Sequence, residues 1–478
     1  MKYILISFFL FTLLFSACTQ KSTTPEKPNI LFIFADDQTY QSINTLGNYE
    51  VITPNLDKLA QSGVTFTHTY NMGGWNGAVC VASRAMLNTG RFIWRAKESE
   101  KNYPAMKENG QFWSLMMENA GYDTYMTGKW HVKQEANSIF QTALDIRPGM
   151  PKSVPEAYNR PQSPGDTTWL PWHEKYGGFW QGGKHWSEVV GDNAIEYLDS
   201  AKMSDNPFFM YLAFNAPHDP RQSPKKYVDM YPLENVSVPN SFLELYPYKD
   251  SIGCGPGLRD EKLAPFPRTE YSIKVHRQEY YAIITHMDEQ IGRIVAHLKE
   301  TGQDKNTYII FGADHGLSVG HHGLVGKQNM YDHSMRVPLI VVGPDIPENE
   351  KREMQVYLQD VMATSLDLAG IEKPEYVEFN SLLPAIKSEV DESPYSEIYG
   401  AYINLQRMVR TDKFKMIIYP KAKKIRMFDM VNDPEEMNDL ADAAEYANVK
   451  NELIEKLKKQ QKMMDDPLDL HLFFPELF

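Results

Sequence analysis

The sequence predicts an α/β protein with a large, doubly wound mixed sheet flanked by helices and a smaller C-terminal α+β subdomain of antiparallel strands and a helix. Two observations carry this prediction. Apolar runs alternate with helical segments over residues 28–385, and the runs end in polar residues. This is typical of a sheet that binds ligands at the carboxyl ends of its strands. From about residue 386 the pattern changes to closely spaced strand-like runs followed by one helix.

The predicted strands of the first part deliver polar side chains to one edge of the sheet. Residues 29–35 form an apolar run that ends in Asp36 and Asp37, which is typical of a buried parallel strand. A capped helix with a proline in its first turn begins near residue 53. The other elements predicted here are a helix at 111–119 and strands at 121–129, 207–214, 307–312 and 337–342. Two long connections, 134–190 and 219–270, are rich in Pro, Gly and aromatic residues, and we expect them to build substrate walls.

The C-terminal part has its own pattern. Strand-like runs at 406–419 and 424–430 precede a turn at 433–440 and an amphipathic helix at 445–463. The chain therefore divides into a main domain, 28–385, which we expect to carry the chemistry, and a C-terminal subdomain, 386–478.

The N-terminus is predicted to be a processing segment. Residues 1–17 combine one positive charge with an apolar stretch too short to span a bilayer comfortably, as in a signal peptide. The stretch ends in Phe-Ser-Ala before Cys18, which resembles a bacterial lipobox although leucine is usual at the phenylalanine position. We expect an exported protein, in the periplasm or at the cell surface, that a lipid on Cys18 anchors to the membrane. Residues 18–27 then form a polar tether, and secretion without lipid is the alternative.

Charge and cysteine content narrow the classes of function. A formal net charge of −13 over 478 residues argues against a nucleic acid partner, because phosphate binding needs clustered lysine and arginine. It leaves an anionic substrate open, since the potential inside a cleft is local. The three cysteines are Cys18, Cys80 and Cys254, so we expect no disulfide framework despite export.

The segment from Cys80 to Arg91, Cys-Val-Ala-Ser-Arg-Ala-Met-Leu-Asn-Thr-Gly-Arg, is the most specific signal in the chain. On its own, Cys80 could also be a small buried thiol at a helix start. The segment resembles the signature of type I sulfatases, C-x-P/A-S-R-x-x-L-x-T-G-R, in the alkaline phosphatase superfamily. The resemblance implies that Cys80 is oxidised after synthesis to formylglycine, an aldehyde that becomes the nucleophile. It also implies that Arg84 holds a hydroxyl of the hydrated aldehyde in place.

Carboxylates at two strand ends indicate a metal site. Asp36, Asp37 and Asp314 are predicted to meet at one edge of the sheet, where they would repel one another unless a divalent cation lay between them. A pair of solvated turn acids would look the same in isolation. The sulfatase resemblance implies that these three aspartates, His315 and the formylglycine at position 80 bind Ca²⁺. Since His315 stands where the family often has asparagine, and imidazole suits Mn²⁺ or Zn²⁺ better, the identity of the metal stays open.

Three more motifs match the same family. Lys129 and His131 belong to a G-K-W-H motif, His218 to an A-P-H-D-P motif, and Lys327 to an H-G-L-V-G-K motif. Taken singly, each fits an ordinary polar turn. The resemblance implies that Lys129 and Lys327 bind the sulfate group. It further implies that His131 contacts a formylglycine hydroxyl and that His218 donates a proton to the leaving oxygen.

The resemblance also implies a two-step hydrolysis of a sulfate ester. One hydroxyl of the hydrated aldehyde, deprotonated with help from the metal and a carboxylate, attacks sulfur, and His218 protonates the departing alcohol. The second hydroxyl, deprotonated with help from His131, expels sulfate and restores the aldehyde. Ala82, where proline is commoner, favours a radical-SAM formylglycine maturase over the oxygen-dependent enzyme.

Export and aromatic-rich insertions favour a sulfated carbohydrate as substrate. Four tryptophans of one insertion form either a sugar-stacking wall or the packing of a long loop: Trp169, Trp172, Trp180 and Trp186. Arg221 either reads a uronate carboxylate or lies in solvent. The sequence predicts neither the sugar nor the position of its sulfate.

Two other functions stay open at this point. A phosphodiester or phosphonate monoester hydrolase would share the fold, although Lys129 and Lys327 together favour sulfate. An inactive glycan-binding lipoprotein would keep an ordinary cysteine at position 80.

Overall fold

A computed structural model describes residues 27–478 of the chain. The predicted signal peptide, Cys18 and all of the tether except Lys27 lie outside the described residues. The strands are β1 (Asn29–Ala35), β2 (Val64–Tyr70), β3 (Gly73–Gly74), β4 (Asp123–Lys129), β5 (Thr142–Arg147), β6 (Phe208–Ala213), β7 (Thr307–Ala313), β8 (Arg336–Val342), β9 (Glu350–Tyr357), β10 (Ile398–Tyr402), β11 (Gln406–Arg410), β12 (Phe414–Tyr419) and β13 (Lys424–Asp429). The helices are α1 (Pro54–Gln61), α2 (Val79–Thr89), α3 (Ile93–Ser99), α4 (Tyr103–Glu108), α5 (Trp113–Asn119), α6 (Trp186–Lys202), α7 (Lys225–Val228), α8 (Glu270–Glu300), α9 (Asp332–Met335), α10 (Asp360–Leu368), α11 (Leu383–Ile386) and α12 (Ala447–Met463).

The large sheet has eight strands in the order β5-β4-β6-β1-β7-β8-β2-β9. The five strands from β5 to β7 run parallel, and β8 is antiparallel to both of its neighbours. This confirms the predicted mixed sheet. Since β1, β4, β6 and β7 point the same way, the residues that follow them meet at one edge.

Buried aromatic side chains fix the centre of this sheet. Phe32 and Tyr211 on neighbouring strands both contact Trp113 of α5, with ring centroids 5.3 and 5.9 Å away. Residues 30–35 of β1 are fully buried, as an apolar parallel strand should be. The long helix α8 packs against α1, α6 and α7. The central strands are thereby covered by helices and hold their carboxyl ends in place.

The second sheet is smaller and has the order β13-β12-β11-β10-β3. Strands β10 to β13 are antiparallel, as predicted, and α12 packs on this sheet. Gly73 and Gly74 of the main domain add a short parallel strand beside β10. The C-terminal part is therefore joined to the segment that leads into α2.

Some elements fall in places where the sequence predicts none. Strand β5 lies within the predicted connection 134–190, and β9 begins with a run of charged residues. Both are at edges of the large sheet, where strands carry polar side chains and lose the apolar run that identifies a buried strand.

None of the helices within residues 27–478 is both long enough and apolar enough to cross a membrane.

Candidate active site

The predicted site residues converge because of where their elements end. Asp36 and Asp37 follow β1, Lys129 ends β4, and Asp314 follows β7. Cys80 lies in the first turn of α2, where the helix dipole favours a negative charge. The structure brings all of these side chains together in one buried cluster.

The order of residues in α2 explains why Cys80 and Arg84 act on the same site. Residues four apart lie on one face of a helix. Arg84 Nε donates to Asp314 Oδ2 at 3.0 Å, and Arg84 Nη1 donates to the carbonyl of Lys129 at 2.6 Å. The arginine is fully buried and joins the ends of β4 and β7 to the helix that carries Cys80.

Two lysine side chains contact Cys80. Its Sγ lies 3.4 Å from Lys129 Nζ and 3.2 Å from Lys327 Nζ. Burial would raise the pKa of the Cys80 thiol, but Lys129, Lys327 and His315 outweigh burial and hold that pKa well below its ordinary value. A cysteine kept only for packing would have a raised pKa, as burial gives Cys254. Both cysteines of residues 27–478 are free thiols.

The carboxylates around Cys80 form a cluster that fits a cation. Ligand atoms of Asp37, Cys80, Asp314 and His315 lie within 4.8 Å of one another. The amide of Asp37 donates to Asp314 Oδ1 at 3.1 Å, so the two strand ends are tied directly. Burial and Asp314 raise the pKa of Asp36 well above its ordinary value, which shows how closely the acids are crowded.

Unsatisfied polar atoms in the same cluster support this fit. Within the described part of the chain, buried Asp36 Oδ1 and His315 Nε2 have no hydrogen-bond partner. Lys129 pairs with Asp36, and Lys327 Nζ lies 2.7 Å from both oxygens of Asp37. Oxygen and imidazole ligands of this kind suit a divalent cation.

His218 faces the cluster from the loop after β6. Its Nε2 lies 3.5 Å from Asp37 Oδ2, and its Nδ1 lies 3.0 Å from Asp219 Oδ1. Burial would lower the pKa of His218, but Asp37 and Asp219 raise it to about 10 although Lys327 opposes them. His218 is therefore protonated at neutral pH and has a proton to give.

His131 has the opposite protonation state. Burial lowers the pKa of His131, and its interaction with Cys80 offsets this only in part. The imidazole is therefore neutral near pH 7 and can accept a proton. One site holds a protonated His218 and a neutral His131, which is the pairing that acid and base chemistry requires.

A cavity of about 490 Å³ opens above the cluster. Its floor contains Cys80, His131, His218 and Lys327, and its walls come from the segments before α2, after β5, before α8 and after β7. The wall residues are Gly77, Ala78, Pro148, Gly149, Met150, Leu258, Arg259, Asp260 and Gln328. A small polar substrate can therefore reach Cys80 from solvent.

None of the four tryptophans of the aromatic insertion lines the cavity, and two of them pack within the insertion. Trp169 stacks on Tyr176 with centroids 4.7 Å apart, and Trp186 packs edge-on against Phe179. Arg221 is buried, with Nη1 2.9 Å from His276 Nδ1, so it is neither solvated nor placed to read a uronate. Arg221 is likewise absent from the lining of the cavity.

Sequence reasoning missed Arg259, Asp260 and Gln328. They lie in irregular segments, where no apolar period or metal-ligand spacing distinguishes a wall residue from a solvated one. The sequence predicted that the connection 219–270, which contains Arg259 and Asp260, builds part of the walls, but it did not single out these two residues.

Comparisons with known proteins decide the family. The family model described as Sulfatase matches residues 28–371. The chain belongs to the sulfatase family. It is a sulfuric ester hydrolase, as the motifs predicted. A second model, N-sulphoglucosamine sulphohydrolase, C-terminal, matches residues 320–463 of this sulfatase.

Individual relatives agree over nearly the whole chain. The sulfatase is 25% identical to the N-acetylglucosamine-6-O-sulfatase of Bacteroides thetaiotaomicron, covering 94% of this chain and 88% of the relative. It is 29% identical to an arylsulfatase of Clostridium perfringens, covering 91% and 93%. A solved protein in complex with its substrate D-glucosamine-2-N,6-O-disulfate shares the fold, with a TM-score of 0.70 at 24% identity over 92% of this chain and 99% of that one.

Proposed function

We propose that this sulfatase removes O-sulfate groups from a sulfated glycan or sugar, with a formylglycine at position 80 and a divalent cation. The observation that carries the proposal is the position of Cys80 on the floor of an open cavity between Lys129 and Lys327. Two cations on either side of the nucleophile position suit the oxygens of a sulfate group. The names of relatives that act on sulfated sugars favour a carbohydrate.

The side chains divide the work of the reaction. Lys129 and Lys327 bind the sulfate oxygens, and Arg84 orients the residue at position 80. His218, which the neighbouring carboxylates keep protonated, gives its proton to the leaving oxygen. His131, which is neutral, accepts a proton from a hydroxyl of the hydrated formylglycine. The hydrated formylglycine supplies two hydroxyls on one carbon: one attacks sulfur, and the other, once deprotonated, expels sulfate by breaking the carbon–oxygen bond and restores the aldehyde.

Asp36, Asp37, Asp314 and His315 would hold the cation together with the residue at position 80. When bound, it stabilises negative charge on the sulfate. Calcium suits the three carboxylates and Mn²⁺ suits His315 better, so both belong in the reconstitution. Exhaustive chelation should abolish activity, and Ca²⁺ or Mn²⁺ should restore it. Full activity after chelation would contradict a metal-dependent site.

Oxidation of Cys80 to the aldehyde calls for a maturase, and Ala82 favours the radical-SAM type. Cys18 is proposed to carry a lipid that anchors the exported protein to a membrane. In that case Cys18→Ser should move the protein from the membrane to the soluble fraction. Unchanged fractionation would mean that something other than this lipid holds it there.

A panel assay tests the substrate class. Sulfated mono- and oligosaccharides, an aryl sulfate and a phosphonate monoester are offered to the matured enzyme. We expect release of sulfate from at least one sugar and weak turnover of the phosphonate. The panel includes the phosphonate because a phosphonate monoester hydrolase of Silicibacter pomeroyi shares the fold. The TM-score is 0.71 at 21% identity over 91% of this chain and 96% of that one. Preferred turnover of the phosphonate would reverse the assignment.

A further inference from the structure

The walls of the active-site cavity differ from each other in chemistry. Pro148, Gly149 and Met150 form one side, which is apolar, and Met150 is 38% exposed. Arg259 and Asp260 form a polar side together with Gln328. We call these three residues the polar wall. Neither side belongs to the cluster that surrounds Cys80.

The polar wall is a built structure and not a set of loose surface side chains. Arg259 Nη2 donates to Asp219 Oδ1 at 2.7 Å, and Arg259 Nε donates to Asp260 Oδ1 at 3.1 Å. Gln328 Nε2 donates to Asp260 Oδ2 at 2.7 Å. Asp260 is 5% exposed and Gln328 is 2% exposed, so both are fixed by their partners.

Two atoms of this network have no hydrogen-bond partner among the described residues. Arg259 Nη1 and Asp219 Oδ2 are buried and have no hydrogen-bond partner among residues 27–478. The Asp219 side chain is only 4% exposed. Buried donors and acceptors are costly to leave unpaired, so a donor and an acceptor beside a substrate cavity point to a polar ligand group.

The charge of the network selects among ligand groups. The network holds two cations, Arg259 and the protonated His218, and two carboxylates, Asp219 and Asp260, so its charges already compensate one another. A second anionic group placed here would meet those carboxylates, and like charges in contact are unfavourable. A hydroxyl group, which both donates and accepts, matches the arginine and the carboxylates without adding charge.

We propose that the polar wall binds neutral hydroxyl groups of the sulfated sugar ring and selects against a second anionic substituent beside them. The apolar side of the cavity then covers a face of the ring. This inference rests on the proposed function and adds the substrate class: a sugar unit whose free hydroxyls face Arg259 and Asp260. Because Arg259 also contacts Asp219, the partner of His218, sugar binding and the orientation of His218 share one network.

Paired substrates test the selection. Hexoses and N-acetylhexosamines with one sulfate, at O2, O3, O4 or O6, are each compared with a disulfated counterpart, and an aryl sulfate serves as a reference without sugar hydroxyls. We expect the wild-type kcat/KM for the monosulfated sugar that it hydrolyses best to exceed the kcat/KM for the disulfated counterpart of that sugar by about tenfold or more. Equal or better turnover of the disulfated sugar would overturn the selection.

Asp260→Asn isolates the contribution of charge, because it keeps the size of the side chain. We expect kcat/KM for the monosulfated sugar to fall about 10- to 100-fold, the range for losing a hydrogen bond to a charged group, with a loss at least tenfold smaller for the aryl sulfate. The preference against the second sulfate should also shrink. The matched control is Asp229→Asn on the surface, where the aspartate pairs with exposed Lys225. It should leave unchanged both the kcat/KM ratio of sugar to aryl sulfate and the ratio of monosulfated to disulfated sugar. Equal losses on sugar and aryl sulfates for Asp260→Asn would contradict the role.

Binding measured without turnover separates this inference from the function on which it rests. In the inactive Cys80→Ser background, calorimetry with the monosulfated sugar should show weaker binding once Asp260→Asn is added. A thermal unfolding midpoint equal to that of the parent excludes a folding defect. Turnover of the aryl sulfate without turnover of any sugar would overturn the inference and leave the sulfatase assignment intact. Failure on every sulfate ester would instead overturn the proposed function.

Discussion

At the scale of single residues, the site depends on opposite electrostatic environments for two histidines. His218 contacts Asp37 and Asp219, whereas His131 has Lys129 nearby and lacks comparable carboxylate support. Burial lowers the pKa of both histidines, so the carboxylates beside His218 account for the difference between the two pKa values. The roles proposed for His218 as acid and His131 as base therefore depend on surroundings that can be altered one residue at a time.

His218→Ala should harm sugar sulfates far more than an activated aryl sulfate. A sugar alkoxide needs a proton as it leaves, and general acid catalysis is typically worth about 10²–10⁴-fold. A nitrophenolate leaves readily without one, so steady-state kinetics on both substrates should show that factor only for the sugar.

Since the pKa of His218 is raised to about 10, the acid stays protonated at neutral pH, and wild-type kcat/KM for the sugar should fall only as the pH rises towards that value.

Lys327→Ala is the matched comparison for His218→Ala. Lys327 is proposed to contact the sulfate, which both substrates share, so its loss should impair them alike. Equal losses on the two substrates for His218→Ala would remove it from the acid role.

At the scale of elements, the strand ends were predictable and the walls were not. The apolar runs of β1, β6 and β7 are local signals, and the polar residues after them follow directly in the sequence. The edge strands β5 and β9 carry polar residues, and Arg259 and Asp260 depend on tertiary contacts that no local pattern encodes. Buried parallel strands could therefore be read from the sequence, whereas the substrate-facing loops required the structure. The catalytic and metal roles of the motif residues stay predictions.

Helix α8 offers a test of how much one element adds to stability. Its first turn is held by a capping box, in which Thr269 Oγ1 accepts from the amide of Ser272 at 3.1 Å. Thr269→Ala should lower the free energy of unfolding by about 1 kcal/mol, because the amide loses its partner. Chemical denaturation measures this change. Glu300→Ala at the exposed other end of the helix should stay within about 0.5 kcal/mol of the parent, and an equal loss in both variants would contradict the cap's contribution.

At the scale of the whole molecule, a buried charge network joins the main domain to the C-terminal sheet. Lys415 Nζ on β12 lies 2.8 Å from Asp332 Oδ1 and 2.8 Å from Glu436 Oε1. Burial would raise the pKa of Asp332, but Lys415 and Arg410 hold it below the ordinary range. Burial raises the pKa of Glu436 to about 7 although Lys415 opposes it. The two acids therefore share one lysine, and Asp332 also has Arg410 nearby.

Lys415→Met should destabilise the fold by about 3–5 kcal/mol, since it leaves the buried Glu436 without its cation and Asp332 with Arg410 alone. The free energy of unfolding in urea would measure this. The control is Lys413→Met. Lys413 precedes β12 by one residue and is exposed, so this change should leave the free energy of unfolding nearly unchanged. A small effect for Lys415→Met would mean that the acids find other partners or become protonated at little cost.

The most direct test of the central claim is mass spectrometry of the peptide that contains position 80, on enzyme whose specific activity has been measured. Co-expression with a radical-SAM maturase should raise the formylglycine fraction and the activity in proportion. Cys80→Ala should abolish turnover and leave the unfolding midpoint in place. A fully active preparation in which position 80 is an unmodified cysteine would contradict the account.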